Sequence, residues 1–158
     1  MKIGRFPEVV NENAARLVAS IICCLAVIAI LHPAIYTILP LLYGFTARVL
    51  YGPDYSPAAQ FVLKAVIPLF KIENRPTPGA PKRFAQFIGF LFTLTAAILF
   101  SLNLILEFQI VMSILVFFAF LESSLGFCAG CFVFSYLIKW GFVPQEICER
   151  CSNLEYHI

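Results

Sequence analysis

Charge is what this sequence has least of. Only 13% of its 158 residues are Asp, Glu, Lys or Arg, against about 25% in an ordinary soluble domain. Sixty-one per cent are hydrophobic and the mean hydropathy is +0.89. There is too little polar surface to coat a water-soluble globule, so a soluble enzyme of this length is excluded. There is no low-complexity segment, phosphate-binding loop, dinucleotide fingerprint or Ser-His-Asp set. No basic patch for nucleic acid is present either, and no cofactor is implied. The two histidines, His32 and His157, stand alone. No small-residue cleavage site follows the first apolar run, and the run is too long for a signal-peptide core.

What is present is a set of long apolar runs. Four are long enough to span a bilayer, roughly 14–31, 34–51, 84–106 and 108–137, against a need of about 20 residues. Open sheets cannot satisfy their backbone in lipid, so the runs predict helices. The expected fold is therefore all-α: an integral membrane four-helix bundle forming a single transmembrane domain over residues 1–158, with loop 52–83 and tail 138–158 in the cytoplasm. Asn11 and Asn13 are candidate caps for the first helix, and Glu12 and Arg16 are spaced for a helical ion pair. Ser56-Pro57 opens a short apolar stretch, 58–70, too short to cross. It is expected to be an interfacial or re-entrant segment between the second and third helices. The Pro-rich stretch 71–83 cannot continue a helix, and Lys82 and Arg83 should anchor the third span at the headgroups.

The eleven Lys and Arg all fall on one side of this arrangement: the N-terminus, the central loop or the C-terminus. By the positive-inside rule both termini are cytoplasmic.

The fourth run carries the chemistry. Cys128 and Cys131 are three positions apart, hence on one helix face. They can join each other or share a soft ligand, for thiol–disulfide exchange, persulfide carriage or passage of a thiophilic metal. The competing reading is that free Cys is a small buried hydrophobe. That reading is preferred for Cys23 and Cys24, which become metal ligands beside Cys128 and Cys131 only if the protein transports a metal. Counting along straight helices, Cys131 and Cys128 lie about 12 and 16 Å below Lys139, and Cys23 about 10 Å from Arg16. The two pairs would then share a depth. Cys128, Cys131, Cys148 and Cys151 also have zinc-site spacing, but the first pair is followed by Phe-Val-Phe-Ser-Tyr, which belongs in lipid.

Glu122 is an ionisable group in mid-run and needs a partner or a water path. It is either a proton acceptor for a thiol or a buried carboxyl bonded to Thr93, Thr95, Asn103 or Ser113. Contact with Cys128 requires a water or a helix break, for which Gly126 and Gly130 are the candidate positions. Ala119, Ser123, Gly126 and Gly130 make a small-residue stripe suited to close packing, within the chain or across a homodimer.

Asn11-Glu12 with Arg16, Pro81-Lys82-Arg83-Phe84-Ala85-Gln86, Leu121-Glu122 and Gly126-Phe127-Cys128-Ala129-Gly130-Cys131 together resemble a family. It comprises small four-helix bacterial integral membrane proteins of unknown function with a Gly-x-Cys-x-Gly-Cys motif in the last helix. The resemblance implies a bacterial inner-membrane location. It also implies a link to thiol or sulfur metabolism, with thioredoxin-like or rhodanese-like partners beside the lipid bilayer. It supplies no settled activity, and Cys23, Cys24, Cys148 and Cys151 are outside the shared pattern. Three functional classes follow: a dithiol protein working through Cys128 and Cys131 with Glu122, a transporter of a thiophilic metal or small sulfur compound, and a structural subunit.

Overall fold

A computed structural model describes residues 9–73 and 75–140. The chain is mostly helical. Helix α1 spans Glu12–Leu31, α2 Ile35–Tyr51, α3 Pro57–Phe70, α4 Gly79–Ser101, α5 Ile105–Leu125 and α6 Ala129–Lys139. Three of these, α1, α4 and α5, are long and apolar enough to cross a membrane. Large apolar side chains face outward across the helices, with Tyr36 of α2, Leu69 and Phe70 of α3 and Leu125 of α5 all at least 70% exposed. An apolar exterior of this extent fits membrane association and not a water-facing surface.

Helix α1 begins where Asn11 Oδ1 accepts hydrogen bonds from the backbone N–H groups of Asn13 (3.0 Å) and Ala14 (3.3 Å). Asn11 is thus the cap, and two otherwise orphaned donors are satisfied. Just before it, β1 (Val9–Asn11) pairs antiparallel with β2 (Pro76–Pro78), Val10 opposite Thr77. This short ribbon is absent from the expectations above. It is reinforced by the Glu12 N–H on Arg75 O (2.8 Å) and by Asn13 Nδ2 on Glu73 O (2.8 Å). The loop between α3 and α4 is thereby fastened to the start of α1.

Helix α3 follows a 3-10 turn at Pro53–Tyr55, with Pro57 at its first position as expected. Its middle, Val62–Val66, widens into π geometry just ahead of Pro68. Proline there removes one N–H and crowds the carbonyl four residues back, and a π turn relieves that crowding. Ala59 and Val62 are buried while Phe61, Leu69 and Phe70 are exposed.

Two helix boundaries differ from expectation. Helix α4 starts at Gly79, five residues before the predicted span, because Pro81 lies in its first turn, where the missing N–H has no helical partner anyway. The turn between α4 and α5 is at 102–104, ahead of the expected junction of spans 84–106 and 108–137, and is closed by Asn103 in the left-handed region (φ 59°), which Asn tolerates better than most residues.

Run 108–137 breaks. Helix α5 ends at Leu125, capped by Gly126 at φ 69° with its N–H on Glu122 O (3.1 Å), and α6 starts three residues later. Glycine reaches that conformation without a Cβ clash.

Helix α1 packs along α5, α2 along α4, and α4 also touches α5 and α6. The core runs from Ala26, Ala29, Ile38, Leu41, Phe108 and Met112 to Ala14 and Ala119. Small residues set the close approaches. A Cβ at Gly130 would sit 2.4 Å from the Ala85 backbone, and one at Gly89 would sit 2.3 Å from the Phe45 ring. The small-residue stripe is therefore used inside the chain: Gly130 meets α4, and Ser123 shares a 2.7 Å hydrogen bond with Ser20 of α1.

Candidate functional site: a thiol pair at a helix break beside a buried cluster of charges

The break at Gly126 creates the site. Cys128 occupies the position just before α6, and the Cys131 N–H donates to its Sγ at 3.3 Å. Cys128 therefore does what Ser or Asp does at a helix start, supplying an acceptor to an orphaned donor. The same bond fixes the two cysteines relative to each other. Cys128 is buried and Cys131 half-buried, and both are free thiols.

Across from them lies Glu122, on the last turn of α5. Its Oε1 accepts from Lys82 Nζ of α4 at 2.8 Å, and both side chains are largely buried, 23% and 6% exposed. Two expectations are corrected here. Lys82 is not a headgroup anchor; it is turned inward on the first turn of α4. Glu122 is not bonded to Thr93 or Ser113, whose hydroxyls go to backbone carbonyls of their own helices.

Arg16 is also turned to the protein. In place of a local pair with Glu12, its Nη2 and Nε donate to Ser124 O (2.8 Å) and Ser123 O (3.4 Å). A cation thus covers the orphaned carbonyls at the end of α5, the favourable end for positive charge. Arg48, near the end of α2, is 4% exposed. Its Nε donates to Gly44 O (2.9 Å) and its guanidinium lies 4.5 Å from the Phe45 ring centroid.

Lys82, Glu122, Cys128, Arg48 and Gln86 line one cavity of about 530 Å³. Most of its remaining wall is apolar, with Val18, Ile22, Phe45, Leu63 and Leu115 among the lining residues. Arg48 and Gln86 were missed as site residues. A signal was present: Arg48 continues the buried stripe Ile38, Leu41, Phe45 at spacings of three and four, and Lys82 stands on the stripe of Gly89, Thr93 and Ala96. Such a stripe marks the inward face.

The other cysteines do not join this cluster. Cys23 is on α1 against α5, its thiol 3.9 Å from Val116 O, and Cys24 is exposed. Depth counted along a straight fourth helix fails once that helix breaks at Gly126. Among the described residues no three His, Cys, Asp or Glu side chains come together to hold a metal ion, so Cys23, Cys24, Cys128 and Cys131 do not form one soft site. Cys148 and Cys151 lie outside the described residues.

Comparison with curated proteins and with solved structures returns no match. A family model does match, over residues 10–139, from the cap of α1 to the end of α6 and including every residue of the site. The chain belongs to that family, the domain of unknown function DUF4395.

Proposed function

We propose that this protein is an integral membrane dithiol protein, in which Cys128 and Cys131 carry reducing equivalents or a sulfur species. The observation that supports this most is the Cys131 N–H on Cys128 Sγ at the start of α6. A Cys-x-x-Cys pair at a helix N-terminus faces unpaired N–H donors and the positive end of the helix dipole, and that setting makes thiols reactive. The half-buried Cys131 is the thiol that a thioredoxin-like or rhodanese-like partner reaches; the buried Cys128 faces the cavity. With a partner disulfide, one thiolate attacks, a mixed disulfide forms, and the second cysteine displaces the partner's other sulfur. Cys128–Cys131 becomes a disulfide, the partner becomes a dithiol, and the two thiol protons pass to water or to the partner's thiolates. Glu122, held by Lys82 in the same cavity, is the nearby carboxylate available to receive a proton.

In this reading α1, α2, α4 and α5 are the four spans of a bacterial inner-membrane bundle, and α3 is its interfacial or re-entrant segment. Both termini are cytoplasmic, because the Lys and Arg gather at the end where α1 begins and α5 finishes. Carriage of a thiophilic ion or small sulfur compound is the second reading. It is favoured by the cavity that Cys128 lines, and uptake into proteoliposomes separates it from redox work.

The test of the leading reading is exchange with a reduced or oxidised thioredoxin-like protein. Cys128→Ser and Cys131→Ser should each abolish exchange while the helices remain folded. Full function in the double variant rejects the dithiol role.

A further inference from the structure

We infer that the cavity is a binding site for an acid on an apolar body, a carboxylate or phosphate headgroup seated on Arg48. Two observations converge. Arg48 is 4% exposed, yet its Nη2 has no hydrogen-bond partner. A guanidinium cannot shed its charge, and its donors lie in the plane of the group, so the Phe45 ring covers its face and leaves that donor unmet. Ser56 Oγ, fully buried, is also unpartnered, and it and Nη2 both lie about 4 Å from the point where a Gly44 Cβ would be. A third orphan, Gln86 Oε1 of a cavity-lining residue, is an acceptor and calls for a donor, not for the acid headgroup. Buried polar groups are almost always satisfied, and each exception needs an explanation.

The charge in the cavity gives the sign of the missing group. Arg48 and Lys82 are two cations and Glu122 one carboxylate, already bonded to Lys82. Asp54 also lines the cavity, but it is exposed, and water screens it. One buried positive charge therefore remains without a direct anionic contact. The cavity volume, about 530 Å³, is within the range of small-molecule sites, about 300–1,000 Å³. A mostly apolar wall with one cationic anchor takes an amphiphile, not a bare ion. The ligand is either an anionic membrane lipid or a soluble organic acid; the recognition chemistry is the same. This site does not depend on thiol turnover, although its occupant would lie in the same cavity as Cys128.

The test uses the full-length protein in a non-ionic detergent. Decanoate should bind at least about ten-fold more tightly than 1-decanol, measured by calorimetry and by the shift in unfolding temperature. Arg48→Gln should bring the two within about two-fold, while Arg48→Lys retains a preference for the acid. Cys131→Ser, whose residue does not line the cavity, should bind decanoate like the unaltered protein although exchange is lost, which separates this site from the redox reading. Equal binding of acid and alcohol by the unaltered protein overturns the proposal, and that comparison needs no variant to fold. Unchanged decanoate binding by a folded Arg48→Gln protein also overturns it. Native mass spectrometry from mixed phosphatidylglycerol and phosphatidylcholine nanodiscs identifies the source. Retention of phosphatidylglycerol, lost in Arg48→Gln, supports a lipid; a decanoate site with no lipid preference supports a soluble acid.

Discussion

The two ends of the helical assembly are built on opposite plans. At the end where α1 turns into α2 and α4 into α5, the interior is apolar: Ala26, Ala29, Ile38, Phe108 and Met112 are all fully buried. At the other end, the same helices turn charge inward. Lys82 and Arg48 are buried, Glu122 is paired, Arg16 covers the end of α5, and a thiol caps α6. The first plan needs only shape. The second puts ions where burial costs several kcal/mol each, and a group kept under such a cost usually has work to do. The difference is what supports the proposal that function sits at the charged end.

The strongest way to break this contrast is to remove one partner of the buried pair. Lys82→Met should destabilise the protein by about 3 kcal/mol, because Glu122 is then buried alone. Adding Glu122→Leu should restore much of that loss, and detergent-resistant unfolding followed by circular dichroism reads both. If Lys82→Met is neutral, the pair is a surface contact and the contrast fails.

Packing comes next. Gly130→Val must push α6 away from the Ala85 backbone, which costs about 1–3 kcal/mol and should also disturb thiol exchange. Gly89→Ala, against the Phe45 ring, should cost a similar amount and be relieved by Phe45→Leu. Relief of Gly130→Val by trimming an exposed residue such as Phe132 would contradict the assigned contact.

Capping separates thiol chemistry from structure. Cys128→Ser keeps an acceptor for the Cys131 N–H, so stability should stay within about 0.5 kcal/mol although exchange is lost. Cys128→Ala removes the acceptor and should cost about 1 kcal/mol. Equal stabilities would mean that Sγ is no cap.

The smallest effect is expected at Cys24. It is exposed on α1 and outside the cluster, so Cys24→Ser should change neither stability nor exchange. A strong loss there would move the transport reading to first place.

Much of this was legible in the sequence, and the part that was not has a physical reason. Apolar length is a one-dimensional property, so the long helices could be read directly, while Gly126 and Gly130 stood only as candidate places for a break or a close contact. The direction of a charge could not. The positive-inside rule counts Lys and Arg near helix ends and does not ask which face they occupy, so it leaves Lys82 at the headgroups and says nothing of the inward turn of Arg48. Glu122 already required a partner, and the buried stripes through Phe45 and Gly89 could have supplied Arg48 and Lys82 as candidates. The β1–β2 ribbon was hidden because Pro-Thr-Pro carries no strand pattern of its own; it forms only because the start of α1 is there to pair with it.

The measurement that bears most directly on the central claim is the state of Cys128 and Cys131 in protein isolated from its native membrane. Intact mass after thiol alkylation, with metal analysis alongside, determines it. The dithiol account predicts a pair that converts between two alkylatable thiols and a disulfide, or that carries an added sulfur atom. Two thiols that stay reduced, unliganded and unreactive under oxidant and partner alike would contradict it and leave α6 as a packing element.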